Sequence, residues 1–125
     1  MATLLLIDDD PLIRDILYEL LSPSHECHTA DRAEQALEYL EIETYDVVVT
    51  DIAMPGLGGL EILKRIRERH RDTPVIIISG KAQESAEEFI EMGAFAYFAK
   101  PFQLAEVEDA VIRAIASRQQ LGSER

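Results

Sequence analysis

The runs Leu4–Ile7, Val47–Val49 and Val75–Ile78 are apolar at every position. They lack the polar residue at every second place that marks a strand with one face in water. Strands of this kind are buried on both faces, as in a parallel sheet covered by helices on either side. Extended to their turn residues and joined by two weaker runs, they give five candidate strands: Thr3–Asp8, Glu26–Ala30, Asp46–Thr50, Pro74–Ser79 and Phe95–Ala99. The second is the most polar and reads as an edge strand.

Between the strands the apolar period becomes helical. Leu12, Ile16 and Leu20, with Ile13, Leu17 and Leu21, form two rows at a spacing of four, and Pro11 suits the opening turn of that helix. Ala33, Ala36, Leu37 and Leu40 mark a second helix, and Leu60, Leu63 and Ile66 a third with a charged outer face from Lys64 to Arg71. Ala82, Ala86, Phe89 and Ile90 mark a fourth, which Gly93 is placed to end. Leu104, Val107, Val111 and Ala114 mark a fifth, with Ile112 beside the stripe and partly exposed. All of these stripes read as core. Strict alternation of strand and helix predicts an α/β fold, a doubly wound five-stranded parallel sheet with right-handed crossovers. A chain of 125 residues that is 47% hydrophobic suits one core. Residues 1–118 read as the domain and 119–125 as a polar tail or truncated linker.

The 24 acidic residues against 12 basic ones give a net charge of −12, which repels nucleic acid phosphates and argues against direct binding to DNA or RNA. Cys27 is the sole cysteine, so no intrachain disulfide can form; it reads as a small strand hydrophobe in a reducing compartment. The first apolar run stops at Asp8, Asp9 and Asp10, too short for a signal peptide core or a membrane span. The expected location is the cytoplasm, with no membrane contact.

In open parallel sheets the active crevice lies beyond the carboxyl ends of the strands. Asp8 and Asp9 follow the first strand, Asp51 the third, Ser79 the fourth and Lys100 the fifth. Each has an ordinary alternative. Asp9 or Asp10 suits a helix cap ahead of Pro11, Asp51 a turn residue, Ser79 a strand end and Lys100-Pro101 a loop. Their convergence on one sheet edge is what points to chemistry. Packed carboxylates repel unless a cation sits among them, and oxygen donors favour Mg²⁺ or Mn²⁺ over zinc. His25, His28 and His70 are not placed at this edge, and His25 and His28, at odd spacing, should point to opposite faces rather than build a second metal site. Beside a cation Asp51 is a nucleophile toward phosphorus, giving an aspartyl phosphate. Lys100 would neutralise charge on the transferred group, and Ser79 would donate a hydrogen bond to it.

Taken together, these motifs resemble the receiver domain of two-component response regulators. Ile7-Asp8-Asp9 resembles its acidic pair, and Asp51-Ile52-Ala53-Met54-Pro55 its D-x-x-M-P turn, followed by Gly59. Ser79-Gly80 resembles its Thr/Ser-plus-small step, and Tyr97-Phe98-Ala99-Lys100-Pro101 its aromatic-x-x-Lys-Pro motif. The resemblance covers about residues 3 to 117. It implies a flavodoxin-like strand order, 2-1-3-4-5. It also implies Asp51 as phosphoacceptor, and Mg²⁺ held by Asp8, Asp9, the Asp51 carboxylate and the backbone carbonyl of Ala53. Lys100 would pair with the phosphoryl group, and Ser79 and Tyr97 would form a switch pair, Tyr97 rotating inward from an outward position. Ala53 and Lys81 occupy the flanking positions that set the lifetime of the phosphoryl group.

A histidine kinase or phosphotransfer protein would supply phosphate, and a downstream protein, an output domain or a phosphorylation-dependent homodimer would read the change of shape. The chain would catalyse its own phosphorylation and hydrolysis, without a separate substrate, either as a stand-alone regulator or as part of a longer one. Two other readings remain. Asp8-x-Asp10 resembles the D-x-D motif of haloacid dehalogenase-like phosphatases, which leaves Asp51-x-x-Met54-Pro55 unexplained. The other is a receiver that binds partners without being phosphorylated.

Overall fold

A computed structural model of the chain describes residues 1–54, 58–80 and 84–123, the last five of them in backbone alone. The elements alternate without exception: β1 (Thr3–Ile7), α1 (Pro11–Leu21), β2 (Glu26–Ala30), α2 (Ala33–Ile42), β3 (Val47–Asp51), α3 (Gly59–Arg69), β4 (Val75–Ser79), α4 (Ala86–Glu91), β5 (Ala96–Ala99) and α5 (Leu104–Ser123). The strands form one parallel sheet in the order β2-β1-β3-β4-β5. Both the doubly wound class and the order 2-1-3-4-5 are therefore borne out. Every residue of β3 and β4 is buried, as strands covered on both faces require, while β2 at the edge is buried only at Ala30.

Alternation along the strands divides the core into two layers. Leu4, Leu6, Val47, Val49, Ile76 and Ile78 pack with α1 and α5 on one face, through Leu17, Leu21, Val107, Val111 and Ala114. Leu5, Ile7, Val48 and Ile77 pack with α2, α3 and α4 on the other, through Ala36, Leu40, Leu63, Ile66 and Phe89. Each buried Val, Leu, Ile or Phe among them contributes about 1.5–3 kcal/mol, so the two layers dominate what holds the sheet between its helices.

Several helix stripes are narrower than their sequence period. On α1, Ile13, Leu17, Leu20 and Leu21 face the sheet at helical spacing, whereas Leu12 lies about a quarter turn away and is 65% exposed. Ala86 and Ile90 of α4 are exposed and only Phe89 is buried there; the expected Ala82 lies outside the described residues. The helix starts later than the apolar pattern suggested because Ser85 caps it. Its hydroxyl accepts the Glu88 N–H at 3.1 Å while the Glu88 carboxylate accepts the Ser85 N–H at 3.3 Å. Gly93 ends the segment at φ +105°, a left-handed conformation that any side chain would strain. On α5, Leu104 is partly exposed and Ala110 takes a place in the core, while Ile112 is 57% exposed, in line with its place beside the stripe. The helix continues to Ser123.

Candidate functional site

The order 2-1-3-4-5 makes β1 and β3 neighbours, and the chain leaves their carboxyl ends toward opposite faces of the sheet. The loop after β1 leads to α1 on one face and the loop after β3 leads to α3 on the other. A crevice opens where such loops diverge. Asp8 and Asp51 stand at its two sides. β3 ends one residue later than the sequence suggested, so that Asp51 is its last residue, opposite Ile78.

Asp8 is 1% exposed and Asp51 4%. Carboxylate oxygens of Asp8, Asp9 and Asp51 all lie within 4.8 Å of one another, Asp9 being the exposed member. From β5, Lys100 Nζ donates to Asp8 Oδ2 at 3.0 Å and lies 3.4 Å from Asp51 Oδ2. The remaining oxygens take backbone donors: Asp8 Oδ1 accepts the Asp10 N–H at 2.9 Å, and Asp51 Oδ1 the Ala53 N–H at 3.2 Å. Asp10 is not part of the cluster. Its carboxylate accepts the Leu12 N–H at 2.9 Å and caps α1, which settles which aspartate serves as the cap.

Electrostatics follow from this packing. Burial pushes the Asp8 carboxyl above its usual range, and the nearby Asp51 adds to the shift; the Asp10 N–H and Lys100 oppose it without cancelling it. Burial alone would lower the Lys100 ammonium, but the hydrogen bond and charge of Asp8, with the charge of Asp51, leave it raised and firmly protonated. A buried carboxylate held against its preference is a site short of positive charge. An all-oxygen donor set of this kind fits Mg²⁺ or Mn²⁺.

The surrounding backbone is built to close tolerances. The Gly59 N–H donates to the Ile52 carbonyl at 3.1 Å, and a Cβ at Gly59 would stand 2.2 Å from the Asp51 carbonyl oxygen. Only glycine lets α3 begin so close to the end of β3. Ala53 is exposed beside Asp51, while Pro55, Gly56 and Lys81 lie outside the described residues. Ser79 is buried at the end of β4, and its carbonyl accepts the Lys100 N–H at 3.0 Å; the Lys100-Pro101 peptide is cis. Strand alternation puts Ser79 on the sheet face that carries Ile77, and Ile77 pairs with Tyr97. Tyr97 is not the outward-facing ring expected. It is half-buried and stacked on Phe89, with ring centroids 5.1 Å apart.

Sequence reasoning missed Arg14, whose guanidinium Nη1 donates to the Asp8 backbone carbonyl at 2.8 Å. The signal was present: Arg14 is the sole basic residue of α1. The histidines lie elsewhere. His28 is held by the Tyr45 hydroxyl at 2.8 Å and lies beside Glu26 and Glu43, a mixed group at the β2 edge. Burial pushes the Cys27 thiol up to about 11, in keeping with a packed, unreactive side chain. Among the described residues no helix is long and apolar enough to cross a membrane.

Comparison with known proteins agrees with this geometry. The family described as the response regulator receiver domain matches residues 4–112. Sporulation initiation phosphotransferase F of Bacillus subtilis is 36% identical over 110 residues, covering 86% of this chain and 89% of that protein. DNA-binding transcriptional regulator NtrC of Escherichia coli is 39% identical over 116 residues, 91% of this chain but 25% of the relative. The chain thus spans about a quarter of the length of the NtrC proteins it matches. Among solved structures, a response regulator receiver domain protein from Clostridium thermocellum superposes with a TM-score of 0.89 at 31% identity, covering 97% of this chain and 99% of that one. The response regulator TrrA of Thermotoga maritima, in complex with Mg²⁺-BeF, gives a TM-score of 0.81 at 32% identity, covering 91% and 99%.

Proposed function

This chain belongs to the response regulator receiver domain family, and from that premise we propose that Asp51 is its phosphoacceptor. A receiver is a phosphoacceptor signalling domain rather than an enzyme with a separate substrate. The observation that carries the assignment is the pair of buried carboxylates, Asp8 and Asp51, with the Lys100 ammonium between them. Asp51 is the member at a strand end with an open flank at Ala53.

The chemistry follows from the residues. A carboxylate oxygen of Asp51 attacks phosphorus; the O–P bond forms as the P–N bond to a donor imidazole breaks, and that electron pair stays on the imidazole nitrogen. Asp8, Asp9, the Asp51 carboxylate and the Ala53 backbone carbonyl are the groups that would hold Mg²⁺, with Mn²⁺ as a substitute. When bound, that ion supplies charge neutralisation for the phosphoryl oxygens. Lys100 adds a second positive charge from the β5 side, already desolvated and aimed into the crevice. Ser79 donates its hydroxyl to a phosphoryl oxygen, and Tyr97 adjusts in response. Hydrolysis of the acyl phosphate by water returns Asp51 to its carboxylate and releases inorganic phosphate, with the exposed Ala53 flanking the approach.

The donor is a histidine kinase or a phosphotransfer protein. The reader is a downstream protein, an output domain or a second phosphorylated copy, docked where α4, β5 and α5 leave Ile90, Leu104 and Ile112 exposed. Residues 1–118 form the receiver and 119–125 a tail or linker, in a cytoplasmic protein whose charge keeps it off nucleic acid. The test is transfer from a set of histidine-phosphorylated kinases in MgCl₂. Rapid transfer to this chain from one of them supports the reading, and loss of label from none of them contradicts it.

A further inference from the structure

Asp9 makes no hydrogen bond of its own among the described residues, yet it is the exposed member of the carboxylate cluster. Its aim therefore depends on the two peptide planes that flank its Cα. The plane after it is held through the Asp10 N–H, which Asp8 Oδ1 accepts at 2.9 Å. The plane before it is held through the Asp8 carbonyl, which accepts Arg14 Nη1 at 2.8 Å. Upstream, the Asp8 N–H is fixed to the Ala30 carbonyl of β2 at 3.2 Å, and downstream the Arg14 N–H closes on the Asp10 carbonyl at 3.0 Å. Among the described residues, Arg14 is thus the one side chain outside the Asp8–Asp10 loop that grips its backbone.

We infer that Arg14 is a positioning residue for the cation site: by pinning the Asp8–Asp9 peptide it holds the Asp9 carboxylate toward Asp8 and Asp51. The inference rests on the reading that these three aspartates bind Mg²⁺. A charge-assisted donor suits the task, since it is stronger than a neutral one and spends its bond on a carbonyl, leaving the carboxylates to the cation. A guanidinium near a cation site also repels the cation. The sign of the effect separates the two roles: lost positioning weakens metal binding, and lost repulsion tightens it.

The experiment titrates MgCl₂ alone, without a phosphodonor, into the whole chain and follows the backbone amide shifts of Asp9 and Asp51 by NMR. Arg14→Met keeps the aliphatic stem and removes the donor, and should weaken Mg²⁺ by about tenfold, the scale of losing a group that orients a ligand. Arg14→Lys restores a charged donor and should recover most of that loss. In acetyl phosphate the Arg14→Met deficit should shrink as MgCl₂ is raised, a split a general folding defect would not show. Where Arg14→Met fails to give a folded spectrum, Arg14→Gln carries the same comparison. Unchanged or tighter binding in the neutral variant, with Asp9→Ala weakened, overturns the role of Arg14 and leaves the metal site standing. Parental Mg²⁺ affinity in Asp9→Ala overturns the metal reading itself.

Discussion

Lys100 Nζ donates to Asp8 Oδ2 at 3.0 Å across 92 residues of sequence, tying the end of β5 to the end of β1 above the intervening strands. The bond does not fully compensate Asp8, whose carboxyl stays raised. A carboxyl raised on folding costs stability when ionised. That cost is full above its folded pKa, is relieved as pH falls through it, and is gone below the unfolded value of 3.8. Asp8→Asn, which mimics the neutral form, should therefore be more stable than the parent at neutral pH without metal. The gap should close as pH falls. Urea unfolding at several pH values, with and without MgCl₂, reads this directly. Added Mg²⁺ should stabilise the parent, by about 2.7 kcal/mol at a hundred times its Kd, and leave Asp8→Asn nearly unmoved. A variant less stable than the parent at pH 7 in EDTA would show that Asp8 is not held against its preference.

Gly59→Ala places a methyl group 2.2 Å from the Asp51 carbonyl oxygen, against backbone that has no rotamer to give. The expected cost is about 1–3 kcal/mol, with α3 displaced from the end of β3 and phosphorylation slowed. Thermal unfolding and the acetyl phosphate rate check both parts. Parental stability and rate would mean that the approach of α3 to β3 is not needed.

The fold was legible because its strands are buried on both faces: Val47–Val49 and Val75–Ile78 admit few other readings. The convergence of Asp8, Asp51, Ser79 and Lys100 was legible for the same reason, since strand ends in such a sheet share one edge. What the period could not show was how wide each helix face would be. Leu12 and Ile90 repeat at core spacing but lie off the buried arc, which Leu17 and Leu21 occupy on α1 and Phe89 on α4. Arg14 was visible only as the sole basic residue of α1; its partner is a backbone carbonyl, which leaves no mark in the sequence. The resting place of Tyr97 depends on Phe89 of α4, a contact between elements that no local pattern encodes.

That stacking contact bears on switching. Ser79 and Tyr97 lie on one sheet face, so movement of the Ser79 hydroxyl toward a phosphoryl oxygen changes the space beside a ring already leaning on Phe89. A charge-assisted hydrogen bond is worth roughly 1.5–3 kcal/mol, enough to shift a two-state population about ten- to a hundredfold. Ser79→Ala and Lys100→Ala should still accept phosphate, at a reduced rate, yet respond weakly at α4, β5 and α5. NMR with and without a beryllofluoride mimic tests this. Full parental shifts around Tyr97 and Phe89 in both variants would show that the switch does not run through Ser79 and Lys100.

The central claim is that Asp51 alone takes the phosphoryl group. Its most direct measurement is intact mass after incubation with acetyl phosphate and MgCl₂, for the parent and Asp51→Asn side by side. The parent should gain one phosphoryl group, lose it on hydroxylamine treatment as an acyl phosphate does, and gain none in EDTA, while Asp51→Asn should gain none in any condition. Equal phosphorylation of Asp51→Asn and the parent would contradict the assignment.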